Sequence, residues 1–356
     1  MRERAGIYLV LIMLLPVGAA AHHSRATFFD MDRIVELEGE ITRVQWRHPH
    51  VRYWLQADPA YGGAEWEMET TPPSLLERQG ISPDIVAAGT RVRVAGPPSR
   101  FAANTMEVSH VLLPDGREVL LHTGLDPRWT QNAVHRRTLG FDPEAVRAAE
   151  AAARGIFRVW SRMGMAVADW PQFWLGTYPL TESARATAAA WDRAVGTDVG
   201  CRGKDMPWIM ASNWPFEFLE EGDTIRLLAE EFDRKRLIHL DGSATEAVPS
   251  PMGYSTGRWD NGDLVVVTTH VNTGQMGRDG IPLSDDVEIR ERFSLSQDQR
   301  RLDYEMTIID AATFTEPVTM TSHWIWRPGE TVKPYNCIET PGSWTTVNQS
   351  EFRSSP

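Results

Sequence analysis

Histidines near the start of the chain have the residue type and spacing of a copper site. His22 and His23 form one pair, and His48 and His50 form another within the stretch 46–50, WRHPH. A histidine at a free N-terminus offers its amine and its imidazole to one ion, and a second imidazole completes a T-shaped set of three nitrogens that suits copper. We therefore predict copper binding through His22 and His50, with His48 as a further ligand. The alternative is that these histidines are polar residues without a metal.

The spacing of His48 and His50 favours two side chains on one side of the chain. Pro49 pushes the residue before it into extended geometry, and residues two apart in an extended chain point the same way. The alternative is that one of the two histidines packs in the core and the other is solvated. His110 and His122 are spare candidates, for which a structural role is the first interpretation.

The copper prediction depends on a cleaved leader, and residues 1–21 have that pattern. Arg2 and Arg4 supply a basic start, an apolar run covers residues 7–15, and small residues at 19–21 form a cleavage site. The apolar run is shorter than the roughly 20 residues that span a bilayer. We therefore expect a periplasmic or secreted protein without a membrane anchor after cleavage. The alternative is an uncleaved N-terminal anchor.

Composition restricts the classes of partner. The chain has 356 residues, and its 36 Lys and Arg against 48 Asp and Glu give a formal net charge of −12. The length is enough for about two domains. The acidic balance argues against nucleic acid as the main partner, because phosphate binding needs clustered positive charge. Cys201 and Cys337 are expected to form a disulfide in an oxidising compartment, with two buried thiols as the alternative.

Residues 22–122 are predicted to form a small closed barrel with an OB-like layout. Several short segments alternate apolar and polar residues like half-buried strands, and Pro72-Pro73 opens one helix over residues 74–79 that Gly80 ends. Five or six strands with one helix in about 100 residues are typical of the OB fold. The alternating positions are Val35, Leu37, Gly39 and Ile41; Val51, Tyr53 and Leu55; Trp66 and Met68; Val92 and Val94; Met106 and Val108; and Val119 and Leu121.

Several motifs stand out in this part of the chain: Ala21-His22-His23-Ser24, Phe29-Asp30, Gly39-Glu40-Ile41, Trp46-x-x-Pro49-His50, Trp66-Glu67-Met68-Glu69 and Leu113-Pro114-Asp115-Gly116-Arg117. Together they resemble an exported bacterial family, domain of unknown function 6152, over residues 21 to about 122. The resemblance implies no activity. The family usually has Asn at the position of His48, so it favours His50 as the partner of His22. The second half, with G-x-S-x-G-x-W at 253–259, resembles uncharacterised exported bacterial proteins.

Residues 123–200 are predicted to be a short helical connector, and residues 201–356 a larger antiparallel barrel. Asp142 starts one Ala-rich helix and Thr181 caps a second. Farther on, alternating segments flank polar turns, of which Asn261-Gly262 is a strong hairpin signal. Seven or eight antiparallel strands indicate an up-and-down, lipocalin-like barrel, which is wide enough for one small ligand.

Polar residues at apolar positions of this barrel suggest a second kind of function. Glu291 lies among apolar residues of the segment 287–295, and His270 and His239 lie in other strand segments. A carboxylate inside a barrel is paired or has a raised pKa, and beside a histidine it can do acid–base chemistry. One alternative is therefore an enzyme that uses Glu291, His270 and His239 on a small hydrophobic or sugar-like molecule. Another alternative is a lipocalin-like carrier. The simplest interpretation of Glu291 is a buried carboxylate that is paired with Arg258.

Overall fold

Eight strands and two short helices make up the N-terminal domain. The computed structural model describes residues 25–134, 140–163, 177–191, 201, 203–240, 246–277 and 279–338. The elements of this domain are α1 (Arg25–Phe28), β1 (Val35–Gln45), β2 (Arg52–Ala57), β3 (Glu65–Glu69), α2 (Pro73–Arg78), β4 (Arg91–Gly96), β5 (Thr105–Glu107), β6 (His110–Leu112), β7 (Glu118–Leu120) and β8 (Ala133–Val134).

The first five strands follow the circuit of an OB barrel. β1, β2 and β3 form an antiparallel meander, β4 returns to pair with β1, and β5 runs parallel to β3. Backbone hydrogen bonds from Ser99 to Thr105 (2.8 Å) and from Glu107 to Pro97 (3.0 Å) join the chain after β4 to β5, so the five strands close on one another. The predicted OB-like layout is confirmed, with its helix α2 between β3 and β4.

The alternating residues of these strands form one buried core. Gly39 lies at a close approach of β1 to β2, since a Cβ there would be 2.2 Å from the carbonyl oxygen of Gln56. The core consists of Leu37, Ile41, Val51, Tyr53, Leu55, Met68, Leu76, Ile81, Val86, Val92, Val94, Met106, Val108, Val111, Leu113, Val119 and Leu121. Every apolar position that the alternation predicted inward, except the half-buried Val35 and Trp66, is therefore buried.

The N-terminal sheet continues beyond the predicted boundary at residue 122. β8 pairs in parallel with β7, so the chain up to Val134 belongs to this sheet. The cause is Glu118, whose buried carboxylate accepts hydrogen bonds from the backbone N–H groups of Arg128, Trp129 and Thr130 at 2.7 to 3.1 Å. A buried carboxylate needs such donors, and the segment after β7 supplies them.

Two helices occupy the predicted connector, as expected. α3 (Pro143–Ala152) begins after Asp142, which accepts from the backbone of Glu144, and α4 (Glu182–Ala189) begins after Thr181, which accepts from Ala184. The connector is not purely helical, because β9 (Val159–Ser161) lies between these helices and belongs to the barrel. Among the described residues, no helix combines the length and apolar character needed to cross a membrane.

Nine strands form a closed C-terminal barrel in the order β10-β11-β12-β13-β14-β15-β16-β17-β9. The strands are β10 (Phe216–Glu221), β11 (Thr224–Ala229), β12 (Arg234–His239), β13 (Tyr254–Asp260), β14 (Asp263–Thr269), β15 (Glu288–Leu295), β16 (Arg301–Ile309) and β17 (Val318–Trp326), with β9 between β17 and β10.

Chain neighbours pair in this barrel, which confirms the predicted up-and-down arrangement. The β13–β14 hairpin turns at Asn261 and Gly262, both with positive φ, as the Asn-Gly signal requires. One junction differs from the prediction, since β12 and β13 pair in parallel over two residues. Their connection is long enough to return the chain to the same end of the barrel.

Buried charged side chains join the two domains. Arg78 of α2 donates to both carboxylate oxygens of Glu230, at 2.9 and 2.6 Å, and its Nε lies 3.0 Å from Oε1 of Glu330. The side chains of all three are at most 2% exposed. Burial raises the pKa of Glu330, while the opposing charge of Arg78 limits the rise.

The segment 331–338, here called the C-terminal strap, crosses this junction. Its backbone N–H groups donate to Glu230 and Asp233 of the barrel at 2.9 Å, and to the carbonyl of His48 in the first domain at 3.1 Å. Cys337 in the strap forms a disulfide with Cys201, which confirms the predicted pair. The strap therefore contacts both domains and is covalently fixed near its end.

Candidate functional site

His50 lies in the loop between β1 and β2, close to the ends of three other strands. Its Nδ1 is 2.9 Å from the backbone oxygen of Thr70 and 3.1 Å from Oε1 of Glu69. Both neighbours are acceptors, so Nδ1 carries a proton. Metal-bound histidines commonly have this arrangement, in which the other ring nitrogen donates to a carbonyl or a carboxylate.

His122 contacts the side-chain hydroxyl of Thr70, whereas His50 contacts the backbone oxygen of the same residue. Its Nε2 is 3.4 Å from Oγ1 of Thr70 and 3.5 Å from Oε1 of Glu107, and its Nδ1 is 3.0 Å from Oγ1 of Thr71. Burial, together with the nearby charges of Arg25 and His50, lowers the pKa of His122 to about 3. Its imidazole is therefore neutral at physiological pH, which is the form that binds metals.

Arg25, the first described residue, belongs to the same group of side chains. Its Nε donates to Oε1 of Glu107 at 2.5 Å. Burial raises the pKa of Glu107, and the Arg25 guanidinium opposes that rise. We refer to Arg25, His50, Glu69, Glu107 and His122 as the histidine–carboxylate cluster. Two carboxylates and two imidazoles meet there beside the start of the described chain.

Backbone hydrogen bonds bring the members of the histidine–carboxylate cluster together. Thr70 and Val51 pair after β3 and before β2, and Val108, which follows β5, donates to the carbonyl of Glu69 at 2.8 Å. Leu121, which follows β7, donates to the carbonyl of Ser109 at 2.9 Å. The ends of β3, β5 and β7 therefore meet, although they are far apart in sequence.

The segment that leads from the N-terminus is fixed to the β4–β5 loop. Phe29 bridges to Ser99, and Asp30 donates from its backbone to the carbonyl of Pro98 at 2.9 Å. The ring of Phe28 meets that of Phe101 edge to face, with centroids 6.2 Å apart. These contacts direct residues 25–30 along the first domain, toward the histidine–carboxylate cluster.

A buried arginine balances the charge of the cluster. Arg52, at the start of β2, lies 3.4 Å from Glu69 and 3.2 Å from Glu67. Its side chain is 4% exposed, so its charge acts in a medium of low dielectric constant. The carboxylates Glu69 and Glu107 thus face the guanidiniums of Arg52 and Arg25.

The structure gives His48 different neighbours from those of His50. The ring of His48 stacks on Tyr335 of the C-terminal strap, with centroids 3.8 Å apart, and meets Trp214 edge to face at 5.6 Å. Its Nε2 lies 3.1 Å from the hydroxyl of Ser74. The expectation that His48 and His50 project in parallel is wrong, because residues 46–51 form a loop instead of an extended strand.

The two remaining candidate ligands are His110 and His22. His110 is engaged through Nδ1 with the hydroxyl of Ser109 at 2.8 Å and through Nε2 with the carbonyl of Asp126 at 3.2 Å. His22 lies outside the described residues. Within the described ranges, no three or more His, Cys, Asp or Glu side chains are arranged to hold a metal ion by themselves.

In the barrel, Glu291 lies in a buried polar network to which five neighbouring strands each contribute one residue. Arg236 donates to both of its carboxylate oxygens, at 2.9 Å for Oε1, and Tyr304 donates to Oε1 at 2.8 Å. Ser255 and Thr268 accept from the same guanidinium at 3.0 and 2.6 Å. The expected inward position of Glu291 on β15 is confirmed, but its partner is Arg236 and not the exposed Arg258.

The three predicted catalytic residues of the barrel lie apart. His239 is on the outer face of β12, opposite to the inward Arg236 and Ile238, and stacks on Tyr254 with centroids 5.1 Å apart. His270 follows β14, where a φ of 55° turns it out of the strand and leaves it exposed. Strand alternation alone predicted that His270 faces the barrel interior, but its left-handed backbone turns the residue out of the strand.

Buried side chains occupy the inward positions of the barrel around Glu291. The aromatic rings of Phe216, Phe218, Phe293, Tyr304 and Trp324 contact one another in a chain. The guanidinium of Arg162 lies 3.8 Å above the ring of Trp324 and donates to backbone carbonyls. Burial holds the pKa of Arg162 well below its usual value.

Sequence reasoning missed most of the histidine–carboxylate cluster. Glu69 ends the motif at 66–69, Glu107 lies between the alternating Met106 and Val108, and His122 follows Leu121. Polar residues at the ends of strands are a usable signal, but only the pairing of β3, β5 and β7 shows that these ends meet.

Comparison with known proteins identifies a family for the N-terminal part alone. Residues 11–106 match the family of unknown function DUF6152, which confirms the resemblance. The match includes His22 and His50 and ends one residue before Glu107. No curated protein and no solved structure matches the chain.

Proposed function

We propose that this is an exported copper-binding protein that holds the ion at its first domain, through the amine and imidazole of His22 and the imidazole of His50. The observation that carries the proposal is the position of Arg25, which is paired with Glu107 inside the histidine–carboxylate cluster. Arg25 follows His22 by three residues. Three residues span at most about 11 Å, so the backbone of an N-terminal His22 is no farther than that from the backbone of Arg25, whose side chain contacts Glu107.

The protonation of His50 supports its role as a ligand. Thr70 and Glu69 accept from Nδ1, so Nε2 is the nitrogen through which the neutral ring would bind an ion. The carboxylate of Glu69 holds the ring in one orientation, as outer-shell carboxylates do in metal sites. A set of one amine and two imidazoles is nitrogen-rich, which favours Cu(II) over ions that prefer oxygen.

Export is needed for this site, since only cleavage after Ala21 gives His22 a free amine. The disulfide between Cys201 and Cys337 supports an oxidising compartment, because such bonds are rare in the reducing cytosol. The proposal therefore places the mature protein in the periplasm or outside the cell.

The test is a copper titration of the mature protein, purified after native export and with its N-terminus verified by mass spectrometry. Affinity for Cu(II) is measured by competition with a chelator, and the bound ion is characterised by electron paramagnetic resonance. The matched control is a chain with one extra alanine ahead of His22, which keeps every side chain but moves the amine.

We expect one Cu(II) per chain with an axial, nitrogen-rich spectrum, and an affinity at least about 100-fold lower in the extended chain. His50→Ala is expected to weaken binding, while His110→Ala leaves it unchanged. Equal affinity of the native and extended chains would show that the N-terminal amine is not a ligand, and the proposal would then be wrong.

A further inference from the structure

We infer that the C-terminal barrel carries a binding site for the carboxylate or phosphate group of a small polar molecule, in a recess beside the turn between β15 and β16. The residues that carry the inference are Arg300, Arg158 and Trp326. The site goes beyond the proposed copper site, which is in the first domain, and does not depend on it.

A recess of about 640 Å³ opens on the surface of the barrel at this turn. Its volume is in the range of roughly 300–1,000 Å³ that is usual for small-molecule sites. Most of its lining is polar, which favours a ligand that forms hydrogen bonds. The lining residues are Ser296, Gln297, Asp298, Arg300, Arg301 and Ile325.

Hydrogen bonds from three sides hold the turn in place. The backbone N–H of Ser296 donates to the carbonyl of Arg301 at 2.9 Å, and the backbone N–H of Trp326 donates to the carbonyl of Arg300 at 2.9 Å. The two terminal nitrogens of Arg158 donate to the backbone and side-chain oxygens of Gln299, each at 3.1 Å. The recess is therefore formed by the fold of the free protein.

Two guanidiniums lie beside the ring of Trp326. The Cζ atom of Arg158 is 4.3 Å from the ring centroid, and that of Arg300 is 5.9 Å from it. Trp326 packs against the core of the barrel, so its ring holds a fixed position between the core and the turn. Arg300 lines the recess and would contact an anion there, whereas Arg158 adds a second positive charge nearby.

The charge of Arg158 has no counter-ion from the protein. Arg158 is 7% exposed, and the oxygens that accept from it are uncharged. Burial lowers its pKa, and no carboxylate offsets that effect. In the described part of the chain, neither Arg158 nor Arg300 forms an ion pair. A buried cation without a counter-ion is costly, so an anion bound beside it would be stabilising.

The two aspartates of this region are already engaged. Oδ1 of Asp303 is 3.0 Å from Nε of Arg301. Asp298 accepts from the hydroxyl of Ser296 at 2.7 Å and from the backbone N–H of Arg300 at 3.0 Å. These hydrogen bonds, with the charges of Arg300 and Arg301, lower the pKa of Asp298. The three arginines of the region thus outnumber its carboxylates, which leaves positive charge for a ligand.

The side chains of the recess indicate the chemical class of the ligand. A guanidinium binds a carboxylate or a phosphate through two parallel N–H···O bonds, and Arg300 has its guanidinium available for this. The hydroxyl of Ser296 and the amide of Gln297 can form hydrogen bonds with further polar groups of the same molecule. A sugar acid combines these features, and a free phosphate has the first of them.

The experiment is calorimetric titration of the full-length exported protein with glucuronate, glucose and inorganic phosphate. Glucuronate and glucose differ in the carboxylate, so their comparison isolates the contribution of the anion. Phosphate tests whether an oxyanion alone is sufficient. We expect glucuronate or phosphate to bind at one site per chain and glucose not to bind.

Arg300→Gln is expected to weaken this binding by at least about 10-fold, because a hydrogen bond to a charged group is lost. The matched control is Arg258→Gln, which removes an exposed arginine from β13 and changes the net charge equally. It should change the affinity by less than about 2-fold.

A second variant tests the contribution of the buried charge. Arg158→Met removes the guanidinium, and it is expected to weaken binding by at least about 3-fold although Arg158 does not line the recess. Circular dichroism and thermal unfolding check that the variants fold. If Arg158→Met does not fold, Arg300→Gln carries the test, since its guanidinium has no hydrogen bond or ion pair in the described chain.

The outcomes distinguish the sources of the anion. Arg300-dependent binding of glucuronate but not of phosphate supports a sugar acid as the ligand, and Arg300-dependent binding of phosphate supports a free oxyanion. The inference is wrong if neither probe binds, or if Arg300→Gln and Arg258→Gln weaken binding equally. Copper affinity should be the same in Arg300→Gln and in the natural protein, so the two proposals stand or fail separately.

Discussion

His48 lies flat against Tyr335, with ring centroids 3.8 Å apart and planes inclined by 23°. One residue belongs to the first domain and the other to the C-terminal strap. A histidine that sequence spacing places among metal ligands is therefore part of the junction between the domains. Burial, together with the charges of His50 and Arg78, lowers its pKa to about 3, so its ring is neutral there.

His48→Ala is expected to leave copper affinity unchanged and to destabilise the protein. Loss of the stacked ring and the resulting cavity should cost about 2–3 kcal/mol, which corresponds to a fall of about 3–4 °C in the midpoint of thermal unfolding for a chain of this length. Chelator competition and a thermal scan measure both effects. A loss of copper affinity as large as that of His50→Ala would contradict the assignment of His48 to the junction.

Removing one partner of the ion pair between Arg236 and Glu291 should lower the free energy of unfolding strongly, whereas replacing both partners with apolar residues should lower it little. Either Glu291→Leu or Arg236→Met leaves one buried charge without its partner, which costs about 3–5 kcal/mol. The double change of Arg236→Met with Glu291→Leu removes both charges and should recover most of that loss. Urea unfolding of the four proteins gives the coupling energy, and single changes that each cost under about 1 kcal/mol would refute the prediction.

Glu330 should make the junction between the domains less stable as the pH rises. Burial holds the pKa of Glu330 above that of an unfolded chain, so the folded state binds the proton more tightly. This contribution is fully present below the unfolded pKa and is lost as pH rises through the folded pKa.

Glu330→Gln is therefore expected to unfold at a higher temperature than the natural protein at pH 8, with a smaller difference at pH 4. Glu316→Gln, which changes an exposed carboxylate, is the matched control and should show no such dependence on pH. The prediction fails if Glu330→Gln is less stable than the natural protein at both pH values.

The disulfide should be a major source of stability because it closes a long loop. Cys201 and Cys337 are 136 residues apart, and the chain-entropy relation gives an upper value of about 5 kcal/mol for a loop of that length. A reducing agent should lower the unfolding temperature of the natural protein and have no effect on the double change of Cys201→Ser with Cys337→Ser. Unfolding at the same temperature with and without reductant would contradict this prediction.

Much of the architecture could be predicted from local patterns. The alternation around Ile41 and Leu55 predicted the OB-like strands, and the Asn261-Gly262 dipeptide predicted a hairpin, because both signals depend on residues adjacent in sequence. The pairing of Cys201 with Cys337 followed from their number and the expected compartment. The end of the first domain could not be predicted, since the hydrogen bond from the backbone of Arg128 to Glu118 forms only in the tertiary structure.

The amino-acid sequence indicates which chemical groups are available: histidines near the start of the chain, an inward carboxylate on β15, and two cysteines. Which of these groups meet depends on the tertiary structure. It placed His48 against Tyr335, paired Glu291 with Arg236, and brought His122 to Thr70 beside His50. The physical reason is that side-chain alternation is a local property of a strand, whereas the convergence of strand ends depends on how β3, β5 and β7 pair across the whole domain.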